Sequence, residues 1–247
     1  MDSINEQLRV AAESGDEAEV KALLLDPKCD ARSKNGRGLT ALMLAAYYGH
    51  ATCLSLLLPV SDSLAKDRWD RTALMCAAVY GHASCVEILL PVSDALASDP
   101  SGDTVLMLAA YGGHLSCINL LLPVSDPLAQ DGNGVTALMY AAMNGNTGSV
   151  GLLMPVSDVL AKNGGGWSAL MLAACSGDLT CVQLLLPVSD IHAKNNKKQT
   201  ASEMASEMGY AHLAMLVDAY AAAQIEKLAL DSTISHGAQQ KIRSLRV

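Results

Sequence analysis

The chain has 247 residues and a formal net charge of −8; 51% of it is hydrophobic, yet only 4% is aromatic and phenylalanine is absent. That acidic balance excludes an extended nucleic-acid or anionic-membrane surface, which needs clustered lysine and arginine. No apolar run reaches the roughly 18–20 residues that span a bilayer. The N-terminal stretch is acidic and lacks an apolar h-region, so no secretory signal is expected and a cytoplasmic, reducing address is.

The pattern along the chain is a repeat. Thr40, Thr72, Thr104, Thr136, Ser168 and Thr200 open copies of one phrase at intervals of 32, and Pro59, Pro91, Pro123, Pro155 and Pro187 close five of them. A fixed period of that length marks stacked supersecondary units. Residues 1–32 are a degenerate first unit, with short helices expected over about 4–14 and 17–25. Ser3 with Glu6, and Asp16 with Glu19, have the spacing of an N-cap and its reciprocal carboxylate.

Five full units follow over 33–192, and 65–96 serves as the type. There 67–71 is a turn, Thr72 caps a first helix, and Leu74, Ala77 and Ala78 form a narrow inner face. Gly81 ends that helix and His82 stands at the start of the second, as a cap. Its counterparts are His50, His114, Asn146, Asp178 and Tyr210. Cys85, Val86, Leu89 and Leu90 point inward while Ser84 and Glu87 point out, the 3.6-residue amphipathic pattern. Pro91 stops the second helix.

The unit 129–160 is the weak one: Gly148 and Gly151 lie inside its second helix, and Gly164, Gly165 and Gly166 follow. Each helical glycine costs about 1 kcal/mol against alanine, so 129–168 is expected to open most readily of the internal segments. Residues 193–220 form a terminal cap, and 221–247 a tail that is helical or frayed.

The order Thr-x-Leu-x-x-Ala-Ala-x-x-Gly-His, then a Leu-Leu helix, then Asp-x-x-Ala-x-Asp resembles the ankyrin repeat over about residues 3–220. The resemblance implies an all-α solenoid of stacked helix-turn-helix units with projecting β-hairpin-like loops. The Thr-Ala-Leu-Met and Leu-Pro-Val-Ser-Asp phrases are also similar to ankyrin-only proteins, and ankyrin-tailed kinases, of certain parasitic protists. There are departures. The family's Pro after Thr is Ala or Val, its His is Met43, Met75, Met107, Met139 or Met171, and its glycine after the second helix is missing. Leu64, Leu96, Leu128, Leu160 and His192 replace the Asn at the hairpin base, so the hydroxylation known at that Asn in some members is not expected.

The recurring residues do not make chemistry. A zinc site needs its ligands at about 2.0–2.3 Å from one metal, and His50, His82 and His114, spaced by one repeat, cannot converge. Cys53, Cys85, Cys117 and Cys181 share one repeat position, so neighbours sit about 8–10 Å apart, beyond disulfide reach. The glycines at 164–166 lack a phosphate loop's Lys-Ser/Thr, and no serine has a nucleophile-elbow setting. No enzyme activity, cofactor or metal is expected.

Binding information lies where the copies differ. The resemblance places contacts at the hairpin tips and at the two residues after Ala-Ala. Those positions give Arg37, Leu39, Arg68, Trp69, Arg71, Asp103, Asn133 and Trp167 on the tips, and Tyr47, Tyr48, Val79, Tyr80, Tyr111 and Met143 on the helices. Six of the nine aromatics fall in this set, and Tyr and Trp are the residue types that become interface hot spots. The expected function is a non-catalytic scaffold or adaptor holding a protein partner on its concave face, centred on residues 47–111. The alternative is a docking or regulatory subunit of an enzyme such as a protein kinase. A monomer is expected, with a dimer through the tail as the alternative.

Overall fold

The computed structural model describes residues 4–244, with side chains placed through Lys227. Among the described residues it is an all-α stack of helix pairs. The pairs are α1 (Ile4–Ser14) with α2 (Glu17–Leu24), α3 (Ala41–Tyr48) with α4 (Ala51–Leu57), and α5 (Ala73–Val79) with α6 (Ala83–Leu89). Then come α7 (Val105–Gly112) with α8 (Leu115–Leu121), α9 (Ala137–Met143) with α10 (Thr147–Leu153), and α11 (Ala169–Ser176) with α12 (Leu179–Leu185). Last are α13 (Ala201–Glu207) and the long α14 (Ala211–Ser244). Ser3, one of the expected caps, lies outside the described residues.

Each first helix starts where its hydroxyl predicts. Thr40, Thr72, Thr104, Thr136, Ser168 and Thr200 all accept from the backbone N–H three residues on, satisfying a donor that the helix leaves orphaned. The second helices of the five full units end in 3₁₀ turns such as Leu90–Val92, with the proline in the turn's first positions. The proline tightens the last turn instead of cutting it off.

Alanine sets the curvature. Ala45, Ala46, Ala77, Ala78, Ala109 and Ala110 are fully buried on the first helices. Neighbouring first helices pack more extensively on one another than second helices do, so the stack bends toward the first-helix side. Cys53, Cys85, Cys117 and Cys181 are buried on the second helices, and all seven cysteines are free. Burial pushes the Cys85, Cys117 and Cys181 thiols up to about 11 and Cys76 to about 12, so they remain protonated packing groups near neutrality.

The histidines correct the expectation that they cap their own helices. His50, His82 and His114 make no side-chain cap bond. Each instead donates from Nε2 to a carbonyl at the end of the preceding unit's first helix: Glu13 at 3.0 Å, Tyr47 at 2.9 Å and Val79 at 3.0 Å. A helix C-terminus leaves its last carbonyls without partners, and the imidazole is long enough to reach them across the unit boundary. Asn146 does the same for Ala110 and Tyr111. Asp178 is the exception and caps α12 conventionally through the Cys181 N–H. Burial pushes its carboxyl up, but the bonds from Cys181 and Thr147 outweigh this and hold it below the usual carboxylate range.

In the fourth full unit the two helical glycines differ. A Cβ on Gly148 would sit 2.9 Å from Leu115 Cδ1, so the preceding unit's leucine fills the missing methyl. Gly151 faces open space, so Gly151→Ala is expected to add about 0.5–1 kcal/mol of stability. It should also slow amide exchange across residues 129–168 in the native protein; unchanged exchange there would show that α10 is not the weak element. Helix α14 runs through Ser244, and residues 245–247 lie outside the described part.

Candidate binding face

The expected hairpins have no strands among the described residues. They are tight loops closed by two backbone bonds each, as from Asp67 N–H to the Arg71 carbonyl (3.0 Å) and from Asp70 N–H to the Asp67 carbonyl (3.1 Å), with a single isolated bridge between Ser98 and Thr104. An Asx turn builds each loop: the first Oδ1 of Asn35, Asp67, Asp99, Asp131, Asn163 or Asn195 accepts from the N–H groups two and four residues on. Neighbouring tips are tied sideways, as by Arg68 N–H to the Arg37 carbonyl at 3.1 Å. The tips thus hold their side chains in fixed register along the edge of the array.

Seven of the fourteen expected residues meet in one groove of about 470 Å³: Arg37, Leu39, Tyr47, Tyr48, Trp69, Arg71 and Tyr80. Tyr47, on α3, and Tyr80, the residue just after α5, lie 4.2 Å apart between ring centroids and share a 2.8 Å hydroxyl–hydroxyl bond. Arg71 lies 4.9 Å over the Trp69 ring, and its guanidinium donates to Asp67 Oδ2 at 3.0 and 3.1 Å. The indole is therefore held on a cation that is itself anchored, although Trp69 remains 52% exposed. The bond with Tyr47 comes first and burial second in pushing the Tyr80 phenol up to about 12, so Tyr80 stays protonated and polar at neutral pH. Leu39 is buried at the floor and shapes the groove from below.

Val79, Asp103 and Tyr111 line a second, smaller slot of about 220 Å³ with Met107, Leu108 and Tyr140. The remaining candidates stand apart. Asn133 lies in a shallow cleft between loop tips, Arg68 is exposed at its tip, and Met143 is exposed at the end of α9. Trp167 is partly buried against the core, with the Gly165 backbone wrapped close to its indole.

Two contributors were missed by sequence reasoning. Glu13 lines the main groove from the degenerate first unit. Tyr140 occupies the position of Leu44, Cys76, Leu108 and Leu172, which is apolar in the other full units. Its hydroxyl in a series of apolar residues is the signal, because a half-buried phenol needs an acceptor. It finds two, Asp103 at 2.7 Å and Asp131 at 2.9 Å.

The comparisons agree with the fold. The family model for ankyrin repeats matches three times, over residues 8–99, 91–163 and 150–227. The chain belongs to the ankyrin-repeat family. The crystal structure of the human ASB11 ankyrin repeat domain superposes with a TM-score of 0.78 at 20% identity, covering 85% of this chain and 96% of that one. At that identity the likeness shows a shared fold and nothing finer. No curated protein matches. Ankyrin repeats are in general protein–protein interaction modules, and no described helix of this ankyrin array is long and apolar enough to cross a membrane.

Proposed function

We propose that this ankyrin array is a non-catalytic scaffold or adaptor that holds a protein partner on its concave face, with the Tyr47, Trp69 and Tyr80 groove as the energetic centre. The supporting observation is the convergence of four aromatic side chains and two arginines, drawn from successive tips and first helices, on a single open groove. The aromatics are held by ring contacts and an anchored guanidinium, so little side-chain entropy is lost when a partner covers them. The seven free thiols suit a reducing compartment. Affinity capture from native lysate with the full chain as bait, compared with a Trp69→Ala/Tyr80→Ala bait, tests the reading. Proteins retained by the first and lost by the second are the expected result; identical captured sets would remove the groove from consideration.

A further inference from the structure

The small slot has an electrostatic imbalance that the main groove lacks. Its walls are Val79, Met107, Leu108, Tyr111 and Tyr140, and Asp103 is the single charged residue lining it. In the unit before, Arg71 neutralises the loop carboxylate of Asp67. In this unit the equivalent position carries Asp103 itself, so the loop has Asp99 and Asp103 and no cation. Among the described residues the ion pairs are Glu6–Arg9, Glu17–Lys21 and Asp67–Arg71; Asp103 and Asp131 join none.

The hydrogen bonds show the same deficit. The Tyr140 hydroxyl has one proton, yet lies within bonding distance of two carboxylate oxygens, one each from Asp103 and Asp131. Asp131 is otherwise satisfied, taking the Asn133 and Val135 N–H groups on its other oxygen. The Asp103 carboxylate, by contrast, has Tyr140 as its single donor among the described residues. Burial first, then the neighbouring charges of Asp99 and Asp131, push the Asp103 carboxyl above the usual range against the lowering effect of Tyr140. Tyr111 and Tyr140 stand 6.0 Å apart at an interplanar angle of 79°, giving the slot aromatic walls.

We propose that the slot receives a lysine or arginine side chain of the partner, its methylene stem between the apolar walls and its charged head on Asp103. This rests on the concave-face reading and deepens it by naming one required feature of the partner. An aliphatic stem ending in a cationic donor matches a slot whose walls are apolar and whose one unmet need is positive charge.

The test uses the full chain with methyl-labelled methionine, Met107 as reporter, and the capped pentapeptides Ac-Ala-Ala-X-Ala-Ala-NH2. With X as lysine or arginine, saturable Met107 shifts are expected at least about fivefold tighter than with norleucine or glutamate, in proportion to one exposed ion pair with an aromatic wall. Asp103→Asn, which keeps an acceptor for Tyr140, should reduce the lysine peptide to the norleucine level. Equal binding of the norleucine peptide, or no saturable shift with lysine up to about 10 mM, overturns the proposal. So does an unchanged lysine affinity in the variant. The comparison among peptides on the unmodified chain holds whether or not the variant folds. Because it bypasses the native partner, its failure leaves the main groove's role standing, which the capture experiment tests separately.

Discussion

Replacing Trp69 and Tyr80 together by alanine is expected to weaken binding of the captured partner by about 3 kcal/mol, roughly two orders of magnitude in Kd. Each side chain offers a large rigid surface that is 52% and 43% exposed respectively in the free protein, which is area available for a partner to cover. The same exposure makes the change mild for the fold. What the free chain loses is an exposed hydroxyl bond to Tyr47 and the stack beneath Arg71, so stability should fall by no more than about 1 kcal/mol. Titration calorimetry beside a urea melt separates the two effects. Tyr80→Phe divides the affinity further, since it keeps the ring area and removes the hydroxyl. A double variant that binds within twofold of the unmodified chain would mean that these aromatics are spectators.

Gly81→Ala is expected to damage the array severely, costing about 3–4 kcal/mol. Gly81 has φ of +80°, a conformation that costs an L-residue about 1–2 kcal/mol. The added Cβ would lie 2.4 Å from His114 Nδ1 and 2.7 Å from Cε1 and Cγ, so the imidazole must leave. Its bond to the Val79 carbonyl then breaks, which adds about 1–3 kcal/mol for a carbonyl left without its partner. His114→Ala loses the same bond but removes the clash. The two substitutions should therefore be strongly non-additive, with the double variant more stable than the sum of the singles predicts. Since each unit contacts only its neighbours, the damage should split the unfolding transition into two steps across this junction. A cost below about 1 kcal/mol would show that the latch contributes little.

Much of this fold was legible in the sequence because the repeat averages local signals. Six hydroxyl caps at one spacing, five boundary prolines and the Ala-Ala pairs all point to the same helices, and each is a property of a few adjacent residues. What was not legible depends on distances between units. His82 has the sequence position of a cap, but its ring serves the first helix of the preceding unit, and only the stacking distance reveals that. Gly148 looks like a weak point until Leu115, from the previous unit, is seen to occupy its space.

The candidate site divides in the same way. The identity of the groove residues followed from departures in the repeat, and Trp69, Tyr80 and Tyr47 were all marked. Their convergence depends on curvature, which periodicity does not encode. Tyr140 was hidden because its register position is apolar in the neighbouring full units, so its bonds to Asp103 and Asp131 became visible only when two loop tips were placed side by side. Leu39 shows the converse: a tip position by register, it is covered by the structure around it.

The outer side of the stack offers a clear rival. Leu64, Leu96, Leu128 and Leu160 form an exposed apolar row at the bases of the loops, each more than half exposed. Hydrogen exchange on the purified complex distinguishes the two faces directly. Binding on the concave face predicts slowed exchange in the tips and first helices of residues 35–48 and 67–80, with the second helices unchanged. Protection confined to the second helices and the segments around Leu64 and Leu96 would contradict it.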